Sequence, residues 1–277
     1  MLWITAAWGG CFVAIRWGLR DAPVLWFATL RSVVAGLVLL AIGLAQRRPH
    51  PVGTRTWSLI GLLALSNSSV AFAAMFAGVD GLATGTAAVL ANAQPLLILM
   101  PAWWLYGERV SGRTAIGMLL GFLGLLLVAL PGGGGTGAWL SVLAAVAITA
   151  GTLFSRRLTG VDIVQATGWH FLVGGVVLAV VASGVEGMPA IRWTTSFVLV
   201  LAFLAVVGTA LAFLAWFQEV QRCALGPLAA WTFLTPIFGA AFGLILTDER
   251  PGAWAAAGIA VVLLSLWTVM RASRGAT

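Results

Sequence analysis

From Gly117 to Leu130 the chain runs for fourteen residues without a charged or polar side chain. Such a run is no strand of a membrane β-barrel, because those strands alternate polar and apolar residues. It fits a helix held among lipid and other helices, and a helix needs about 20 apolar residues to cross a bilayer. Comparable windows, set off by charges or by Gly and Pro, fall at 2–19, 24–45, 57–78, 83–104, 113–130, 137–155, 163–184, 196–217, 225–246 and 252–270. Ten crossings with short turns take up most of the 277 residues and leave no room for a soluble domain. Composition agrees: 61% of the residues are hydrophobic and 8% charged, whereas a soluble chain carries about 25% charged residues. A disordered chain is polar and is excluded on the same figures. The expected fold is an all-α polytopic membrane protein with ten transmembrane helices.

The basic residues are all Arg, fifteen against eight acidic residues, for a net charge of +7. No basic cluster lies outside the loops, so nucleic acid is not an expected partner. Loops facing anionic lipid account for the charge. With alternating helices, Arg47, Arg48, Arg55, Arg109, Arg113, Arg156, Arg157, Arg222, Arg271 and Arg274 share one side, and Arg20, Arg192 and Arg250 share the other. The positive-inside rule then places both termini in the cytoplasm. Met1 leads almost at once into the first window, without the cleavage site of a secretory leader. Cys11 and Cys223 make neither a metal spacing nor a disulfide framework, and neither metal nor cofactor is expected.

Sliding the sequence by 141 positions reveals an internal repeat. Phe72 meets Phe213, Phe76 meets Phe217, Gly85 meets Gly226, Pro95 meets Pro236, Glu108 meets Glu249, Arg109 meets Arg250 and Arg16 meets Arg157. Matches at Pro, Glu and Arg carry more weight here than matches at Ala or Leu. Each half, 1–131 and 132–277, holds five windows, and an odd number inserts the second half with opposite polarity. The run Pro131-Gly132-Gly133-Gly134-Gly135 joins them as a flexible linker. Inverted halves around a midplane site can open it alternately to either side, which is the architecture of a transporter.

The stretch Trp8-Gly9-Gly10-Cys11-Phe12-Val13-Ala14-Ile15-Arg16, followed by Pro23 and Phe27-Ala28-Thr29-Leu30-Arg31, resembles the first repeat of the drug/metabolite transporter superfamily, EamA type. Asn92-Ala93-Gln94-Pro95-Leu96 through Leu105-Tyr106-Gly107-Glu108-Arg109 resembles that family's fourth helix and the turn after it. The second-repeat counterpart is Thr235-Pro236-Ile237 through Asp248-Glu249-Arg250. The resemblance implies helices 3, 4, 8 and 9 around a central cavity, with helices 1 and 6 beside it. It also implies a multi-pass exporter of small molecules in a bacterial inner membrane, in the branch of amino-acid, aromatic amino-acid and metabolite exporters. The small-multidrug branch fits less well, since its buried helix-1 glutamate is missing here.

Polar side chains inside membrane helices are costly and therefore candidates for function. Asn92 shares a helical face with Gly85, Ala88, Pro95 and Leu99, as either a cavity wall or an interhelical hydrogen-bonding site; Gln94 lies beside it. Pro95 and Pro236 each remove a backbone hydrogen bond and free a carbonyl at mid-depth. They suit the hinges of a gate, or a carbonyl serving a substrate ammonium. Ser66 and Ser69 belong to a polar run that is either part of the pathway or a wet cytoplasmic helix end. Trp8 and Trp231 can build an aromatic wall that attracts ammonium groups, with packing as the alternative. His170 aligns with Arg31 at an offset of 139 and either titrates or holds structure. Arg16 and Arg31, toward the outer ends of their helices, can grip a carboxylate or snorkel to the headgroups.

The eight acidic residues all fall at or near helix ends. A proton-coupled antiporter usually holds a carboxylate deep in the bundle, so facilitated uniport is expected, with proton coupling the alternative. An intramembrane enzyme would need a nucleophile–base pair or a metal cluster, and neither HExxH nor GxSxG occurs. Gly117, Gly121 and Gly124, with Gly239 and Gly243, form small-residue faces. These serve close packing within the chain or a homodimer, leaving monomer and dimer both open.

Overall fold

The computed structural model describes residues 1–81, 84–108, 111–129, 137–247 and 253–274. The linker at 131–135 and the repeat partners Arg109, Glu249 and Arg250 lie outside them. Every regular element among the described residues is helical. The helices are α1 (Leu2–Gly18), α2 (Val24–Ala45), α3 (Thr54–Leu63, Ala64–Val70, Ala71–Gly81) and α4 (Thr84–Ala91, Gln94–Leu97, Leu99–Tyr106). They continue as α5 (Gly112–Ala129), α6 (Gly137–Arg156), α7 (Ile163–Val185) and α8 (Thr195–Ala202, Phe203–Leu211, Ala212–Arg222). Last come α9 (Leu225–Ala230, Trp231–Phe233, Leu234–Thr247) and α10 (Ala253–Arg274). Seven of these, α2, α3, α4, α6, α7, α8 and α9, are long and apolar enough to cross a bilayer, and shorter apolar helices run at Gly112–Leu127 and Ala256–Val269. Leu37, Trp104, Val180 and Ile245 stand exposed on the outside of the bundle, as they must where the solvent is lipid.

Small residues set how closely the helices pack, because lipid supplies no hydrophobic force between them. At the α2–α7 crossing, a Cβ on Gly36 would lie 2.6 Å from the Leu172 amide nitrogen, and one on Gly168 would meet Leu40 at 2.9 Å. At the α5–α10 crossing, Gly124 faces the Gly258 carbonyl, and Ser265 Oγ donates to the Gly117 carbonyl at 2.6 Å. The glycine face of α5 is therefore used within the chain. Gly9 lets α1 reach α9 in the same way, against Phe238 and Gly239.

Two helices carry an interior turn wound to the wide i→i+5 pitch, Ala64–Val70 in α3 and Phe203–Leu211 in α8. Such turns are rare in helices and frequent at functional sites. Two others are interrupted: α4 at Asn92 and Ala93, α9 by a tight turn at Trp231–Phe233. Each interruption precedes a proline, Pro95 or Pro236, that has no N–H to continue the ladder.

The loops are tied by ion pairs. Arg48 meets Asp162 at 2.9 Å, and Arg192 meets Asp21 at 3.0 Å. Asp162 also caps α7, accepting from the Val164 and Gln165 amides at 3.0 Å. Glu186 caps α2, accepting from the Leu25 and Trp26 amides at 2.9 and 3.1 Å.

Candidate functional site

A cavity of about 50 Å³ lies inside the bundle. Its walls are Trp8, Cys11 and Phe12 of α1, Arg31 of α2 and Phe72 and Met75 of α3. Ala91, Asn92 and Gln94 of α4, Ile148 of α6, Phe213 of α8, and Thr232 and Thr235 of α9 complete them. It has room for a few waters and falls well short of the roughly 300 Å³ of a small-molecule pocket. A larger ligand must widen it.

Asn92 was expected in the middle of a continuous helix; instead the helix breaks there. Pro95 supplies no N–H to the Ala91 carbonyl, and the Asn92 amide is shared between the Ala88 and Val89 carbonyls, both at 3.2 Å. The Asn92 side chain donates back to Ala88 at 2.7 Å. Gln94 is 3% exposed and donates to Thr152 Oγ1 of α6 at 2.8 Å. Trp8 packs edge-on against Trp216 and tilted against Phe213, both with ring centres at 5.3 Å.

The structure brings Trp8, Asn92 and Gln94 to one cavity and places the other candidates elsewhere. Ser66 turns outward and donates to the Leu62 carbonyl at 2.8 Å. Ser69 lines a separate apolar groove of about 380 Å³ with Leu65, Leu143 and Val181, all three exposed. There it is spent on the Gly174 carbonyl at 3.0 Å. The polar run is no wet helix end: the wide turn buries Asn67, Ser68 and Ser69, and Ser68 Oγ lies 2.5 Å from Ser32 Oγ. Trp231 is half-buried in the tight turn of α9, off the cavity wall. His170 is buried behind that wall, its ring 3.9 Å from Phe171, which packs against Phe213 at 5.3 Å. Pro95 and Pro236 are both buried beside the cavity-lining residues.

Arg31 is the surprise. The run of sequence placed it toward a helix end, yet it is 1% exposed. Its Nε donates to Thr209 Oγ1 at 2.7 Å and its Nη2 to the Gly208 carbonyl at 3.4 Å. Thr209 stands in the wide turn of α8 and donates its own proton to the Leu204 carbonyl at 2.7 Å. The guanidinium carbon sits 4.3 Å above the Phe72 ring. Among the described residues no carboxylate lies within ion-pair distance of it, and Nη1 has no hydrogen-bond partner. A guanidinium stays charged in proteins, and burying an unpaired charge costs several kcal/mol. The ring beneath offsets about 0.5–2 kcal/mol of that. Two more cavity-lining atoms are buried without partners, Trp8 Nε1 and Thr235 Oγ1. A forked Arg on a transmembrane helix was the signal for this residue; its depth came only from the fold.

The EamA-like transporter family matches residues 1–130 and 135–271. A WAT1-related chloroplastic protein of Arabidopsis thaliana is 30% identical over 95% of this chain, which spans 66% of that protein's length. An uncharacterized transporter of Synechocystis is 29% identical over 95% of this chain and 86% of its own. A probable amino-acid metabolite efflux pump of Escherichia coli K12 is 27% identical over 90% of this chain and 86% of its own. A solved crystal structure at 18% identity superposes with a TM-score of 0.81, covering 99% of this chain and 96% of that one. With a family match that spans nearly the whole of its helical bundle, the chain belongs to the EamA-like transporter family of membrane transporters.

Proposed function

We propose that the protein exports small metabolites, neutral or aromatic amino acids above all, by alternating access between two inverted five-helix halves. The observation that carries this reading is the cavity inside the bundle with walls from both halves: Trp8, Arg31, Asn92 and Gln94 from one, Phe213 and Thr235 from the other. Repeat-related features support the inversion. The wide turns of α3 and α8 end at Val70 and Leu211, 141 positions apart. The ion pairs Arg48–Asp162 and Arg192–Asp21 link equivalent loops, and their aspartates are again 141 apart. In this reading α1 to α10 all cross the membrane, residues 1–131 and 132–277 are the repeats, and Pro95 and Pro236 are hinges. The protein sits in a bacterial inner membrane as a monomer or homodimer, with both termini cytoplasmic. Because the described carboxylates cluster at helix ends, transport is facilitated uniport.

Flux of a panel of neutral and aromatic amino acids into liposomes carrying the purified protein tests the substrate class. Equal flux with and without an imposed pH gradient is expected, and a gradient requirement would sink the uniport reading. No flux of any amino acid would sink the substrate reading. Asn92→Ala, which removes one substrate hydrogen bond of about 1 kcal/mol, should lower flux roughly fivefold at unchanged elution on size exclusion. Undiminished flux would remove Asn92 from the pathway.

Cys223 reports orientation. It is exposed just past α8, whereas Cys11 is 1% exposed. Burial and the hydrogen-bonded Glu219 carboxylate hold the Cys223 thiol above its ordinary value. Its thiolate fraction is therefore low at neutral pH and rises as pH increases, so labelling belongs at mildly alkaline pH. A membrane-impermeant maleimide should label inverted vesicles and spare intact spheroplasts. The opposite pattern would reverse the assigned topology.

A further inference from the structure

We infer that Arg31 is the anion-recognition group of the cavity and that transported substrates carry a carboxylate. This rests on the export reading above and adds the chemical group that the site selects. Three residues of the cavity wall each bury a polar atom without a partner: Arg31 Nη1, Trp8 Nε1 and Thr235 Oγ1. Arg31 and Trp8 can only donate, and a threonine hydroxyl can donate as well. A wall with unused donors asks for an acceptor. A carboxylate, with two oxygens and about four lone-pair sites, has acceptors enough for all three.

The charge balance points the same way. Arg31 keeps its charge under 1% exposure with no acidic side chain near it among the described residues. A substrate without an anionic group would leave that charge uncompensated when it occupied the cavity. An anionic group neutralises it and gains charge-assisted hydrogen bonds, the strong kind. Thr209 and the Gly208 carbonyl hold Nε and Nη2, which orients the guanidinium and leaves Nη1 without a partner. Ala91 and Thr232, whose carbonyls receive no N–H from Pro95 or Pro236, also line the cavity, and a main-chain carbonyl suits an ammonium. Arg31 for a carboxylate and main-chain carbonyls for an ammonium together match an α-amino acid.

Thermal unfolding of the full chain in detergent tests this with phenylalanine, 3-phenylpropionate, phenylalaninamide, phenethylamine and chloride as probes. Phenylalanine and 3-phenylpropionate should raise the midpoint, and the two compounds without a carboxylate should not. Arg31→Gln should weaken the apparent affinity for both acids about tenfold or more, the scale of a charge-assisted hydrogen bond. Arg31→Lys should restore part of it. Trp8→Phe keeps the ring and drops the indole N–H, and should cost a few-fold; with the wild-type probe series it decides the matter if Arg31→Gln fails to fold. Phenylalaninamide stabilising as well as phenylalanine, chloride matching the acids, no response to any acid, or an unchanged response in Arg31→Gln would each overturn the assignment. Absent phenylalanine flux with 3-phenylpropionate still stabilising the wild type would sink the amino-acid reading and leave Arg31 in its role.

Discussion

Gly36→Leu will abolish the folded state. At the α2–α7 crossing even a methyl group on Gly36 would lie 2.6 Å from the Leu172 nitrogen and 3.0 Å from the Gly168 carbonyl oxygen. Both are backbone atoms of a helix, so no rotamer change relieves the overlap; the helices must part. Overpacking a core costs about 1–3 kcal/mol where side chains can adjust, and here the cost exceeds that range. Separation would also break the bond from Ser32 Oγ to the Phe171 carbonyl at 2.7 Å. Fluorescence-detected size exclusion of detergent extracts should show the wild-type peak lost to aggregate. Gly61→Leu is the control, since a Cβ there meets nothing within 4 Å, and it should elute like wild type. A wild-type profile for Gly36→Leu would mean that this crossing is not as close as described.

Glu108→Ala should give the largest loss among the polar ties at the helix ends. The Glu108 carboxylate accepts from the Leu225 amide at 2.9 and 3.1 Å and meets Arg156 at 3.3 Å. Arg156 in turn donates to the Val220 and Cys223 carbonyls at 2.9 and 2.6 Å. One carboxylate thus joins the end of α4, the end of α6, the end of α8 and the start of α9. An anion at the first amides of α9 is also favoured by the helix dipole. Removing it leaves a half-buried guanidinium and an uncapped amide, a loss of about 2–3 kcal/mol. Glu108→Gln keeps an acceptor for the amide and should lose about half as much. Thermal unfolding ranks the three proteins, with the alanine variant lowest and its flux reduced. Equal midpoints for wild type and Glu108→Ala would show that this network carries no stability.

The membrane class was legible because an apolar run such as Gly117–Leu130 admits few solvents. Glycine spacing in α5 likewise foretold a close crossing, and Pro95 marked where α4 breaks. It did not reveal how the break would be placed: Asn92 was read as mid-helix, although the missing Pro95 N–H interrupts the ladder on the residues just before it. Wide turns left no trace in composition, since Ala64–Val70 and Phe203–Leu211 share little beyond Ser68 and Thr209, each hydroxyl spent on structure. Arg31 shows the deeper limit. Its residue type suggested an anion, but whether it snorkels or stays inside depends on Phe72, Thr209 and Gly208, which come from helices far along the chain. His170 looked informative for being rare, and the aromatic layer between it and the cavity is a property of packing alone.

The breaks at Pro95 and Pro236 bear on how such a protein diversifies. The acceptors they expose belong to the main chain of residues 91 and 232, so substituting either side chain leaves them in place. The Arg31 guanidinium on the cavity wall, by contrast, belongs to a side chain that a single codon change can delete. If the cavity recognises an amino acid as proposed, selectivity for the ammonium is thus hard to lose by mutation, and selectivity for the carboxylate is easy to lose. On that proposal, descendants of such a chain can shed the acid requirement in one step.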